Sequence, residues 1–170
     1  MRDVILPWAL GDVDLGDDVL EVGPGYGATT DVLCRAVPRL TSVEIDEKLA
    51  AMLTERFADV PTVRIVVGDA TALDQPDGRF TGAACFTMLH HVPTIELQDR
   101  LFAEVARVLR PGAALVASDS VASEELAAHH EDDTYNPVDP ATLPERLAAA
   151  GFTDVEVKTN PRGWAAVARR

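Results

Sequence analysis

The sequence predicts an α/β fold built on a parallel sheet. Two features carry that expectation. Short apolar runs alternate with amphipathic segments along most of the chain, and the last two apolar runs lie too close together for a helix to connect them. The runs Asp18–Val22, Leu40–Glu44, Val63–Gly68, Gly82–Phe86 and Ala113–Ser118 read as strands. Most are apolar nearly throughout, as expected where helices cover both faces of a sheet.

Helices fill the gaps. Asp3–Leu10 supplies about one short helix before the first strand. A second begins after Gly27 and carries Val32 and Leu33. A third follows Asp46, a good N-cap, with Leu49, Met52, Leu53 and Phe57 at helical spacing. The next follows Thr94 and sets Leu97, Leu101, Phe102, Val105, Val108 and Leu109 on one stripe until Pro111-Gly112 stops it. Near the end, Thr142 and Glu145 make a capping box and Gly151 a C-cap. Phe152–Lys158 then alternates and Gly163–Ala168 is apolar, with only Thr159 to Arg162 between them. That gap excludes a helical crossover, so the two runs form an antiparallel hairpin.

Composition narrows the function classes. A chain of 170 residues fits one ordinary domain, residues 1–170, with a substantial core. No apolar run is long enough to span a membrane. Val4–Leu10 is too short and poorly flanked for a signal peptide. Cys34 and Cys85 lack metal-ligand spacing and fit a reduced, cytoplasmic setting. Asp plus Glu number 28 against 15 Lys plus Arg, a net charge of -13, and Lys48 and Lys158 are the only lysines. A polyanion partner needs a basic surface to displace counterions, so this balance disfavours nucleic acid. The acidity otherwise serves solubility.

Three strand ends carry the chemistry. Val19-Leu20-Glu21-Val22-Gly23-Pro24-Gly25-Tyr26-Gly27 runs from an apolar strand into a glycine-rich turn, where a ligand can approach the backbone closely. Gly23, Gly25 and Ala28 also satisfy a relaxed dinucleotide fingerprint, so the turn alone leaves two nucleotide readings open beside a plain structural bend. Glu44 follows Gly23 by 21 residues, where such folds place an acid on ribose hydroxyls. Ile45 beside it suits a purine face or the core. At the third strand, Asp69 can accept from an exocyclic adenine amine and the Ala70 N–H can donate to a ring nitrogen. An Asx turn at Asp69 is the alternative.

In combination these segments resemble class I S-adenosylmethionine-dependent methyltransferases of the small-molecule type. Glu21-Val22-Gly23-Pro24-Gly25-Tyr26-Gly27 resembles the family's first motif, Glu44-Ile45-Asp46 its second and Gly68-Asp69-Ala70 its third. Phe80–Val92 resembles the fourth strand and following loop, and Glu104–Gly112 the stretch before strand five; Ala113 stands where the family usually has a second glycine. The resemblance covers about Asp18 to Arg170. It implies a doubly wound, seven-stranded, three-layer αβα sandwich. It further implies that Glu21 and the loop of Gly23, Gly25 and Gly27 hold the methionine portion, Glu44 the ribose, and Ile45, Asp69 and Ala70 the adenine. Phe86 falls near the methionine end. The implied activity is transfer of a methyl group from S-adenosyl-L-methionine, leaving S-adenosyl-L-homocysteine, to an unidentified small-molecule acceptor.

Methyl transfer needs a general base only for some nucleophiles. His90 and His91 follow the fourth strand and are the candidates for base or acceptor contact; as neighbours they point in different directions, so at most one enters the site. Residues 119–140 form an acceptor-side loop whose acidic character favours neutral or cationic compounds. Within it His129-His130 precedes Glu131-Asp132-Asp133, and with Asp119 these resemble metal ligands, yet the spacing fits no compact zinc pattern and no metal is expected.

Other readings remain beside this one. An NAD-binding oxidoreductase explains the first two motifs but not Gly68-Asp69-Ala70 or the hairpin. Val19–Thr30 with Val43–Asp46 also resembles RNA adenine dimethylases, whose Asn/Asp-(Pro/Leu/Ile)-Pro-(Tyr/Phe) motif is replaced here by Phe86-Thr87-Met88-Leu89. Residues 1–17 are shorter than the helical segment that usually precedes the first strand, which suggests a truncated or minimal form and keeps a non-catalytic donor-binding module as the alternative.

Overall fold

The computed structural model describes residues 5–123 and 134–170. In chain order the elements are α1 (Ile5–Leu10), β1 (Asp18–Val22), α2 (Thr30–Ala36), β2 (Arg39–Glu44), α3 (Glu47–Arg56), β3 (Val63–Val67), β4 (Phe80–Phe86), α4 (Ile95–Val108), β5 (Leu109–Ser120), α5 (Leu143–Ala149), β6 (Thr153–Asn160) and β7 (Gly163–Arg169). Short 3-10 turns cover Leu89–His91 and Pro140–Thr142. The strands form one seven-stranded sheet in the order β3-β2-β1-β4-β5-β7-β6. β1 to β5 pair in parallel, while β7 runs antiparallel to both β5 and β6. The expected doubly wound sandwich and terminal hairpin are therefore present.

Alternate residues of each central strand feed opposite faces. Leu20 and Val22 of β1 join Leu101, Phe102 and Val105 of α4, whereas Val19 packs with Leu33 of α2 and Ala9 of α1. β5 divides in the same way, Leu115 and Ala117 to the first face and Ala114 and Val116 to the second. This alternation is why the strands read as apolar throughout.

Two local expectations are corrected. Leu109 does not extend the α4 stripe. The helix ends at Val108, and Leu109 is already extended, with φ -81° and ψ 144°, and pairs with Phe80. Pro111 disfavours the helical region for Arg110, so the chain turns straight into β5 before the Pro-Gly pair rather than at it. Thr142 does not cap α5 with its side chain; its hydroxyl donates to the Asp139 carbonyl, and Asp139 accepts from Ala141 N in the preceding 3-10 turn. The Asp46 cap is as expected, accepting from Lys48 N and Leu49 N at 2.8 and 3.0 Å.

The sheet order reverses between β1 and β4, the place where folds of this kind open a crevice at the strands' carboxyl ends. Helix α4 packs on the sheet there. Phe102, 1% exposed, packs in the core beneath it. Phe102→Ala is expected to lower the unfolding free energy by about 3–5 kcal/mol, read from the urea midpoint at unchanged m.

Candidate functional site

A cavity of about 800 Å³ lies at that crevice. Its floor is the carboxyl ends of consecutive parallel strands. Val22 ends β1 and the glycine loop follows it, Glu44 ends β2, Gly68 and Asp69 follow β3, and Phe86 ends β4. Gly23, Gly25, Glu44, Ile45, Asp69, Ala70, Phe86 and His91 all line it. Glu21, Gly27 and His90 lie outside the lining.

The glycine loop is held from both sides. Glu44 is buried and accepts the Gly25 N–H through Oε2 and the Asp46 N–H through Oε1, both at 3.0 Å. From α3, Arg56 donates to the Tyr26 carbonyl at 2.7 Å and pairs with Asp31. The glycines answer to different needs. A Cβ on Gly25 would meet nothing within 4 Å, so it would stand in the open cradle; one on Gly27 would come within 2.7 Å of Leu53 of α3. Gly25 thus leaves its side of the cavity open, and Gly27 keeps space for a helix.

Glu21 sits a layer below the loop. It is 2% exposed, and its Oε2 accepts from Ser42 Oγ at 2.6 Å and Thr30 Oγ1 at 2.8 Å. Its Oε1 is buried with no partner among the described residues. Burial pushes its carboxyl up to about 7; the Ser42 and Thr30 bonds oppose that rise and the nearby Glu44 charge adds to it.

At the third strand the Asx turn and the ligand-facing geometry coexist. Asp69 Oδ1 accepts the Thr71 N–H at 2.8 Å while the exposed carboxylate faces the cavity. Ile45 is 69% exposed, so it serves the cavity and not the core. Thr87, just past β4, has φ 51° and lines the cavity. A β-branched residue at positive φ is strained, on the order of 1–3 kcal/mol, and such strain gathers at functional sites.

Beyond β4 the cavity is walled by Met88, Val92, Pro93, Leu97 and Leu101, with His91 among them. His90 turns away from it. Its Nδ1 lies 2.7 Å from Asp119 Oδ1, and its backbone N–H donates to Asp119 Oδ2 at 3.1 Å. Sequence reasoning placed Asp119 only among doubtful metal ligands, because nothing local signals a pairing between residues 29 positions apart. His129, His130 and residues 131–133 lie outside the described residues, as does the rest of the 124–133 stretch of the acceptor-side loop. The α4 stripe was read as core, which hid Leu97 and Leu101 as cavity walls.

Comparison with known proteins decides the family. A family model described as a methyltransferase domain matches residues 20–117. This chain belongs to that methyltransferase domain family. Its fold is the class I, Rossmann-like methyltransferase fold, which uses S-adenosylmethionine. A phosphoethanolamine N-methyltransferase 2 of Haemonchus contortus, solved with S-adenosyl-L-methionine, superposes with a TM-score of 0.82 at 16% identity over 98% of this chain and 51% of that one. An S-adenosylmethionine-dependent methyltransferase of Mesorhizobium loti gives 0.80 at 18% identity, covering 100% of both chains. Among curated proteins, the ribosomal RNA small subunit methyltransferase A of Geobacter metallireducens is 44% identical over 66 residues, 39% of this chain and 24% of that protein. The chain spans between 21% and 50% of the length of such relatives. Among the described residues of the methyltransferase domain, no helix is long and apolar enough to cross a membrane.

Two measurements check this geometry. Glu21 holds a proton in the folded state that it loses when unfolded, so between about pH 4.5 and about 7 its contribution falls as pH rises. Urea melts across that window are expected to show a loss on the order of 3 kcal/mol that is absent in Glu21→Gln. Gly27→Ala is expected to lower the melting temperature far more than Gly25→Ala, whereas Gly25→Ala is expected to weaken donor binding more.

Proposed function

We propose that this methyltransferase domain transfers a methyl group from S-adenosylmethionine to a small-molecule acceptor. One observation carries the reading: Gly25, Glu44 and Asp69, from consecutive strand ends, face one cavity large enough for a nucleoside-sized ligand.

The residues present fit the cofactor. Glu44 spends one lone pair of each oxygen on backbone amides and has others directed at the cavity, which suits two ribose hydroxyls. Asp69 and the Ala70 N–H, unpaired among the described residues, offer an acceptor and a donor for adenine, with Ile45 against the ring face. The open cradle over Gly25 suits the methionine portion, and Phe86 closes its base. Glu21 lies too deep for direct contact and supports the loop through Ser42 and Thr30. When bound, the cofactor supplies a methyl group already activated on a sulfonium, so the protein's work is alignment and exclusion of water.

A small acceptor is favoured by the net charge of -13 and by the apolar wall beyond β4. The similarity to ribosomal RNA methyltransferases favours a second reading, an RNA base. Against it stands Phe86-Thr87-Met88-Leu89 in place of the dimethylase motif.

Calorimetry with S-adenosylmethionine and S-adenosylhomocysteine tests the donor site. Both are expected to bind, NAD to give no heat, and Glu44→Ala to weaken binding roughly 10–100-fold, the worth of charge-assisted bonds to two hydroxyls. A chain that binds neither sulfur ligand refutes the proposal. Binding without turnover over both small acceptors and RNA fragments would make this a donor-binding module.

A further inference from the structure

We propose that His91 is the base that takes the acceptor's proton, that Asp119 positions it through His90, and that the acceptor group is a weakly acidic hydroxyl such as a phenol. This rests on the donor reading above, which gives β1, β2 and β3 to the cofactor.

Sheet order places the acceptor. Donor contacts run from Asp69 after β3, through Glu44 on β2, to Gly25 after β1, and the next strands are β4 and then β5. The acceptor therefore lies over the segment that leaves β4. Of the ionisable side chains that line the cavity, Glu44, Asp46 and Asp69 sit on the donor strands' ends and Tyr26 on the glycine loop. His91 is the imidazole that lines the cavity on the acceptor side, among the described residues.

The turn that carries His91 is held from several elements. Asp119 of β5, with its side chain 1% exposed, accepts the His90 N–H and pairs with His90 Nδ1, and it also accepts from Ser120 N at 2.7 Å. Gln98 of α4 donates to the Leu89 carbonyl at 3.0 Å. Asn136 donates its backbone N–H to the His90 carbonyl at 2.7 Å and its side-chain amide to the Val92 carbonyl at 3.0 Å. The His90 and His91 rings meet with centroids 4.1 Å apart. A short turn needs none of this to form. Bonds from β5, from α4 and from the segment after residue 133 hold the backbone on either side of His91, and its ring packs on the anchored His90 ring, which is the preorganisation a base requires. Burying a carboxylate as deeply as Asp119 is costly unless its partners repay it, and His90 is the side-chain partner.

The wall chemistry selects the acceptor. An ammonium placed against Met88, Val92 and Leu101 would lose its hydration, with no carboxylate on that side among the described lining residues. A neutral hydroxyl enters at lower cost. A phenol, with a pKa of about 10, keeps its proton at neutral pH and needs a base. In the step, the acceptor oxygen bonds to the methyl carbon as the carbon–sulfur bond breaks with its electron pair on sulfur. The hydroxyl proton passes to the His91 ring, so the positive charge moves from sulfur to imidazolium.

The test measures S-adenosylhomocysteine release with neutral phenols, nitrophenols already ionised at the assay pH, and aryl amines, beside calorimetric binding of S-adenosylhomocysteine. His91→Gln is expected to cut kcat on neutral phenols about 10²–10⁴-fold, to change rates on ionised nitrophenols less than about threefold, and to leave S-adenosylhomocysteine affinity intact. Asp119→Asn is expected to lower kcat on neutral phenols roughly 10–100-fold with little change in KM. Heteronuclear NMR of the histidine rings should show His90 protonated at Nδ1, and Asp119→Asn should mix its tautomers. If S-adenosylhomocysteine binds but no phenol is methylated, or only amines are, the proposal fails and the donor reading stands. Equal losses on both phenol sets in His91→Gln also overturn it. Absence of S-adenosylhomocysteine binding overturns the donor reading, and this proposal with it.

Discussion

One carboxylate joins the ends of neighbouring strands into a single ligand floor. Glu44 takes the Gly25 N–H with one oxygen and the Asp46 N–H with the other, so the turn after β1 and the entry to α3 are set by the same side chain. A glycine turn left to itself samples many conformations, and its ordering entropy would be charged against ligand binding. Here the protein's own groups supply that ordering. Arg56 completes it from α3 by holding the Tyr26 carbonyl, and Gly27 admits Leu53 closely enough for α3 to pack there.

The two ends of the cavity are built by different physics. One end is polar and backbone-rich, with acids at the tips of β2 and β3. It suits a ligand carrying hydroxyls and ring nitrogens. The opposite end is apolar, with Met88, Val92 and Leu97 around the His91 imidazole. Thr87 marks the junction, held at positive φ by its N–H bond to the Ser118 carbonyl at 2.8 Å. That bond crosses from β4 to β5, so the strained residue is tied to the same strand that presents Asp119.

Much of the polar end of the cavity was legible in the sequence. Gly25, Glu44 and Asp69 each lie at or just past the end of an apolar run, and a parallel sheet brings such positions to one edge. The apolar end was far less legible. Asp119 and His90 are separated by 29 positions, and Asn136 reaches the turn from farther still. Glu21 sits in the motif that the resemblance gives to the ligand. Strand parity turns it toward Thr30 on the α2 face instead, and Ser42 of β2 meets it there. Leu109 was assigned to a helix because its apolarity continues the stripe, and apolarity does not distinguish the last turn of a helix from the first residue of a buried strand.

By itself, then, the sequence determined the layer order, the parallel core with its closing hairpin, and the residues standing at the carboxyl ends of the strands. Periodicity and turn chemistry act over a few residues, and those features are local. The tertiary structure alone decided which of those residues reach the cavity, which lie beneath it, and which of two adjacent histidines faces inward. Those outcomes depend on strand register and on side chains contributed by distant segments, and no local pattern encodes them.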